Sequence, residues 1–156
     1  MIKINLICMG DIKEKYLSEA IAEYSKRIGR FADLKIIELK ENNPKSASEK
    51  DMLLALEKDA QEIEKHIKGY TVCLDISAPQ YSSEQFAQKI NNIALKAGEI
   101  SFIIGASNGI AERIKTISKE RISFSKMTFP HQLMRVIFLE QLYRAFTINN
   151  NISYHK

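Results

Sequence analysis

A chain of 156 residues fits one domain and can bury a core without help from disulfides or metal. Its content, 45% hydrophobic and 27% charged, excludes a disordered chain, and no apolar run approaches the length that crosses a bilayer. The 23 Lys and Arg against 19 Asp and Glu leave a net charge of +4, a sign that suits nucleic acid without requiring it.

The opening MIKINLICMG predicts a buried strand over 2–8. It is short for a signal segment and no small-residue cleavage site follows, so a cytoplasmic protein is expected. A helix follows over 13–29, with Tyr16, Leu17, Ala20, Ile21, Tyr24 and Ile28 spaced to share a face. LKIIEL (34–39) is a second strand, and KENNPKSAS is a polar, mobile loop. Ser48 with Asp51 three residues on resembles a capping box and opens a helix carrying Met52, Leu53, Leu56, Ala60, Ile63 and Ile67; Gly69 ends it. A third strand spans 70–76. After the turn SAPQY, Ser82 or Ser83 caps a helix with Phe86, Ile90, Ile93 and Ala94 inward, closed by Gly98. ISFII (100–104) is a fourth strand, 110–119 a short helix and 121–125 a fifth strand. A long helix starts at Pro130 and runs to Thr147. Alternating strands and helices predict an α/β fold with a mostly parallel sheet and flanking helices, in one domain over 1–156. Cys8 and Cys73 sit inside apolar runs and read as small core side chains. With no CxxC pair and three His, no metal site is expected.

In such sheets ligands gather beyond the carboxyl ends of the strands, so SAPQ, GASNG and SKMTFPHQ are the candidate site loops. Gly105 and Gly109 fit either a plain strand-to-helix turn or close approach of a ligand to backbone. The motif is neither GxGxxG after the first strand nor a P-loop, which counts against a nucleotide-dependent oxidoreductase. The last helix is apolar nearly all round, so it must be deeply buried or meet another subunit. Arg135, Glu140, Tyr143 and Arg144 lie within it, and Glu140 with Arg144 at i, i+4 could be only an intrahelix ion pair. His131 could serve in acid–base chemistry, touch a ligand or sit idle at the helix start. Tyr154, His155 and Lys156 put aromatic, titratable and cationic groups together at a terminus, where chains ordinarily fray, yet the set suits base stacking and phosphate contact.

The runs LDIS (74–77), FIIGASNG (102–109), SFSKMTFPHQLMRV (123–136), EQLYRAF (140–146) and SYHK (153–156) resemble the ribosomal RNA large-subunit methyltransferase H family, a minimal member of the SPOUT class. The resemblance spans the whole chain. It implies a SPOUT-type fold with a C-terminal trefoil knot and a homodimer. It also implies S-adenosylmethionine as cofactor, held by Leu74, Gly105 and the segment Phe124, Ser125, Lys126, Met127, Thr128 and Phe129, largely through backbone. The implied reaction methylates N3 of a pseudouridine in 23S ribosomal RNA on the ribosome. In that frame Tyr154, His155, Glu140 and Arg144 are the expected catalytic group, with Glu140 or His155 as base, and Arg135 and Lys156 are expected to hold RNA. Ala106 and Asn108 stand where the family has a second glycine and an acidic residue. Ser153 replaces the usual proline, which should loosen the tail. A protein that kept the fold and binds the ribosome without catalysis is the alternative; cofactor binding separates the two.

Overall fold

The computed structural model describes all residues from Met1 to Lys156. Five strands and five helices alternate: β1 (Ile2–Met9), α1 (Lys15–Ile28), β2 (Ala32–Leu39), α2 (Glu49–Glu64), β3 (Tyr70–Leu74), α3 (Ser83–Ala94), β4 (Glu99–Ile104), α4 (Glu112–Ile117), β5 (Glu120–Ile122) and α5 (His131–Asn149). Every strand pair is parallel, in the order β2-β1-β4-β3-β5. The α/β expectation therefore holds, and each predicted element is present with ends displaced by a few residues.

The order sorts the helices. The steps β1 to β2 and β3 to β4 run one way across the sheet, through α1 and α3; β2 to β3 and β4 to β5 run the other way, through α2 and α4. Right-handed crossovers then put α1 and α3 on one face and α2 and α4 on the other. The last helix α5 packs against α1 and α3. Strand alternation serves both layers. Ile4, Leu6 and Cys8 of β1 join Phe102 and Phe138 in the larger cluster, while Ile7 and Met9 join Ile103, Ala60 and Ile114 in the smaller one. Phe138 is fully buried, with ring centroids of Phe102, Phe86 and Phe124 at 4.8, 6.5 and 5.9 Å. Burying a side chain of that kind contributes about 1.5–3 kcal/mol.

Several local expectations shift. On α1 the buried residues are Leu17 and Ile28, and Tyr16 is exposed. On α2 the inward face is Ala55, Asp59, Ala60 and Ile63, and Leu53 faces solvent. The reason for that rotation is polar: buried Asp59 Oδ1 accepts the Asn42 backbone N–H (2.9 Å) and side-chain amide (2.8 Å), which ties the 40–48 loop to the helix. The Ser48 cap is real, its Oγ accepting from Asp51 N at 3.2 Å, but the reciprocal half is missing. The short Asp51 carboxylate takes the Ser46 hydroxyl instead, at 2.6 Å. Ser82 and Gln85 do form a complete capping box on α3. Cys8 and Cys73 are both buried, and burial pushes each thiol up to about 12. No helix is long and apolar enough to cross a membrane.

Candidate active site

The adjacent strands β3 and β4 lead into helices on opposite faces, so the loops after them part and leave a cleft at their carboxyl ends. The cleft has a volume of about 380 Å³ and is walled by the loops after β3, β4 and β5. These loops are stitched together. Ser123 N donates to Pro79 O at 2.9 Å, and Asp75 N to Ile122 O at 2.9 Å. The three candidate loops do converge.

Gly105 is the floor of this cleft. A Cβ there would lie 2.6 Å from the Gly109 carbonyl oxygen and would collide with the Ile110 side chain, so only glycine fits. Gly109 has φ +88° and closes the turn, its N–H on the Ala106 carbonyl at 2.9 Å. Ala106, where a glycine was expected, is buried within the smaller core cluster and also lines the cleft. In the loop after β5, Ser125 Oγ accepts Met127 N at 3.0 Å and Ser123 Oγ donates to Ser125 O at 3.0 Å. Phe124 turns its ring to Phe86 and Phe138. Seven of the eight expected cofactor residues line the cleft: Leu74, Gly105, Phe124, Ser125, Met127, Thr128 and Phe129; Lys126 is exposed and does not.

Some lining residues carried no signal in the sequence. Ile104, Ile110, Ile122 and Met134 read as ordinary core, and Lys115 as a surface helix lysine. Asp75 is buried beside them. Burial works to raise its pKa, but hydrogen bonds from the Ser77 N–H (3.1 Å) and hydroxyl (2.9 Å), with Lys115 and Arg121 at 3.7 Å, outweigh it and hold the carboxyl below its ordinary range. His131 also lines the cleft, near Gly10.

Arg135 is the clear correction. It is 1% exposed, with Nη1 on Glu38 Oε2 at 2.6 Å and Nη2 on the Gly10 carbonyl at 3.1 Å. A guanidinium spent on the ends of β1 and β2, beneath the helix that carries it, is not presented to RNA phosphates.

The other expected residues form one cluster. Glu140 Oε1 accepts from Arg144 Nη2 (2.5 Å), Arg144 Nε (3.1 Å) and the Tyr154 hydroxyl (3.0 Å), while Oε2 accepts from Gln141 (2.8 Å). Arg144 lies 4.8 Å from the Tyr154 ring centroid, and Tyr143 meets that ring edge-on at 4.8 Å. Burial, then the bond to Glu140, pushes the Tyr154 phenol up to about 12. It is therefore a donor and not a base at neutral pH. His155 sits between Arg144 Nη1 (3.1 Å) and Glu84 Oε1 (2.6 Å). Despite Ser153, the tail is anchored by its own chain; Lys156 is exposed. The i, i+4 pair exists, but as part of this larger cluster. No group of three or more His, Cys, Asp or Glu side chains is placed to hold a metal ion.

The family model described as "Predicted SPOUT methyltransferase" matches residues 2–155. The chain belongs to the SPOUT methyltransferase family. Within it, the chain is 47% identical to the ribosomal RNA large subunit methyltransferase H of Clostridium novyi and 48% identical to that of Caldicellulosiruptor saccharolyticus, each match covering 98% of this chain and 99% of the relative. Among solved structures, a methyltransferase from Legionella pneumophila in complex with S-adenosylmethionine aligns with a TM-score of 0.52 at 12% identity. That alignment covers 92% of this chain and 66% of the Legionella chain, and it speaks for the fold.

Proposed function

We propose that this chain is an S-adenosylmethionine-dependent methyltransferase of the cytoplasm, acting as a homodimer on N3 of a pseudouridine in 23S ribosomal RNA of the assembled ribosome. The cleft carries this reading: it opens where the SPOUT-family chain has a glycine floor, walled by the backbone-rich loop after β5. The full-length relatives named ribosomal RNA large subunit methyltransferase H support the RNA substrate.

The residues present fit the cofactor. Gly105 lets the Gly109–Ile110 turn fold tight against the cleft, and Leu74 with Phe124, Ser125, Met127, Thr128 and Phe129 would hold it, in part through main chain. Bound there, S-adenosylmethionine supplies a methyl group on a positively charged sulfur. The chain must align the target nitrogen, exclude water and take a proton, since an imide N3 attacks only when deprotonated. Glu140 already accepts four hydrogen bonds, so it orients Arg144 and Tyr154 rather than acting as base. His155 is the base, its Nδ1 becoming free when Arg144 turns to the RNA. Arg144 and Lys156 then hold phosphate or base carbonyl oxygens, and Tyr154 packs on the base.

A second subunit completes the arrangement. No residue beyond Met134 lines the cleft, and Glu140, which Tyr154 meets, lies six residues further along α5, ~9 Å at 1.5 Å per residue, so the tail does not cover its own cleft. The outward side of α5 leaves Leu133 39% exposed, with Val136 and Ile137 only half-covered. A two-fold partner docked on that side would bury the stripe and bring its tail to this cleft.

Calorimetry with S-adenosylmethionine, with NADH as control, is the first test; binding of the first alone is expected. Absence of binding would replace the enzyme with a ribosome-binding protein of the same fold. Deleting residues 153–156 should then abolish labelled-methyl transfer to ribosomes while cofactor binding persists. Efficient methylation of a naked RNA hairpin would contradict the assembled ribosome as substrate.

A further inference from the structure

We propose that Glu84 is the positioning residue for His155, holding its ring in the Nε2–H tautomer so that Nδ1 is the atom offered for the proton. This rests on the role given to His155 above. Arg144 can only donate, so the Nη1 contact at 3.1 Å requires an unprotonated Nδ1. The proton then sits on Nε2 and donates to Glu84 Oε1 at 2.6 Å. Only one tautomer satisfies both partners.

Glu84 is 61% exposed, yet its place is not accidental. It lies in the first turn of α3, fixed by the Ser82–Gln85 capping box at 3.1 and 2.8 Å. Its neighbour Ser83 donates to Gln141 Oε1 on α5 at 2.7 Å, and Gln141 donates to Glu140. The bonds close a ring: Ser83, Gln141, Glu140, Arg144, His155 and back to Glu84. The bond from His155 holds the Glu84 carboxyl below its ordinary range, so it stays ionised. When Arg144 leaves the ring to meet RNA, Glu84 remains on Nε2. Nδ1 takes the N3 proton, and the imidazolium so formed faces a carboxylate, the arrangement by which an acidic side chain orients a general-base histidine elsewhere. The proton moves from N3 to Nδ1, and the bond from Nε2–H to Glu84 is retained.

The test uses the full chain with Glu84→Ala, Glu84→Gln, His155→Ala and the Glu84→Ala/His155→Ala pair, and, for the tautomer, Arg144→Ala alone and combined with each Glu84 change. Histidine nitrogen NMR, with the His155 resonances assigned by loss in His155→Ala, reads the tautomer without any turnover. Read with Arg144→Ala in place, so that no guanidinium holds Nδ1 unprotonated, the expected result is Nε2–H with Glu84 or with Glu84→Gln, whose amide oxygen still accepts, and a tautomer mixture with Glu84→Ala. On ribosomes, Glu84→Ala should lower kcat on the order of tenfold with cofactor affinity unchanged, Glu84→Gln should fall between, and Glu84→Ala should add no loss in the His155→Ala background. An unchanged tautomer when Glu84→Ala is added to Arg144→Ala, or losses that simply multiply in the Glu84→Ala/His155→Ala pair, would overturn the proposal. Were His155→Ala alone to turn over normally, the role of His155 would fall, and the tautomer on adding Glu84→Ala to Arg144→Ala would still decide whether Glu84 sets the ring.

Discussion

Truncating Arg135 separates a buried structural cation from an RNA contact. Its side chain is 2% exposed, and it is among the largest fully buried side chains of the protein. Arg135→Ala deletes that volume, and large-to-small changes in a core cost about 2–5 kcal/mol. It also strips a donor from the Gly10 carbonyl, worth roughly 1 kcal/mol. The side chain of Glu38 is 47% exposed and can turn to water, so little is added for the lost Coulomb attraction. The expected loss is therefore about 3–6 kcal/mol, a large share of a total that is ordinarily about 5–15 kcal/mol. Arg135→Met keeps most of the volume and removes a desolvated charge whose Nε has no partner, so it should cost less than about 2 kcal/mol. Urea unfolding at one fixed protein concentration measures both. If both variants unfold at the native midpoint while ribosome affinity drops equally in each, Arg135 is an RNA contact and the structural reasoning is wrong.

Three further outcomes are expected. Gly105→Ala places a Cβ 2.6 Å from the Gly109 carbonyl oxygen, so the turn must open. Calorimetry should show cofactor affinity reduced at least about tenfold with a stability loss of about 1–3 kcal/mol, and retained affinity would remove Gly105 as the cleft floor. Ultraviolet titration of the six tyrosines should show a phenol ionising near 12 that vanishes in Tyr154→Phe. Because folding raises this pKa, the tail anchor contributes fully below about 10 and is lost as pH climbs through 12, so the tail should become protease-sensitive only in that window. Cys8 and Cys73, both buried with thiols pushed up to about 12, should resist thiol reagents until the protein unfolds; fast labelling of either in the native state would contradict the packing described.

Local chemistry made most of the fold legible. Apolar runs of strand length, helical spacing, and the Ser48 and Ser82 caps depend on neighbours a few residues away, and all five strands and five helices are where such signals put them. Failures arose where a polar group at long range overrode the pattern. Asp59 turned a face of α2 inward to hold Asn42, seventeen residues away. Arg135 reads in sequence as a cation on a helix near a basic tail; only the packing of α5 over the ends of β1 and β2 shows it spent on Glu38 and Gly10, 97 and 125 residues distant.

The candidate site divides the same way. The sequence by itself determined which loops could form it, because glycines and strand ends carry their own signature, and family motifs supplied seven of the cleft residues. Tertiary structure decided the rest. Strand order 2-1-4-3-5 parts the loops at β3 and β4, and hydrogen bonds from Ser123 and Asp75 draw the loops after β3 and β5 together. The same packing of α3 against α5 brings Glu84 to His155 across 71 positions. Periodicity and capping are properties of adjacent backbone, whereas which carboxylate reaches which imidazole is set by how whole elements pack, and no spacing along the chain records that.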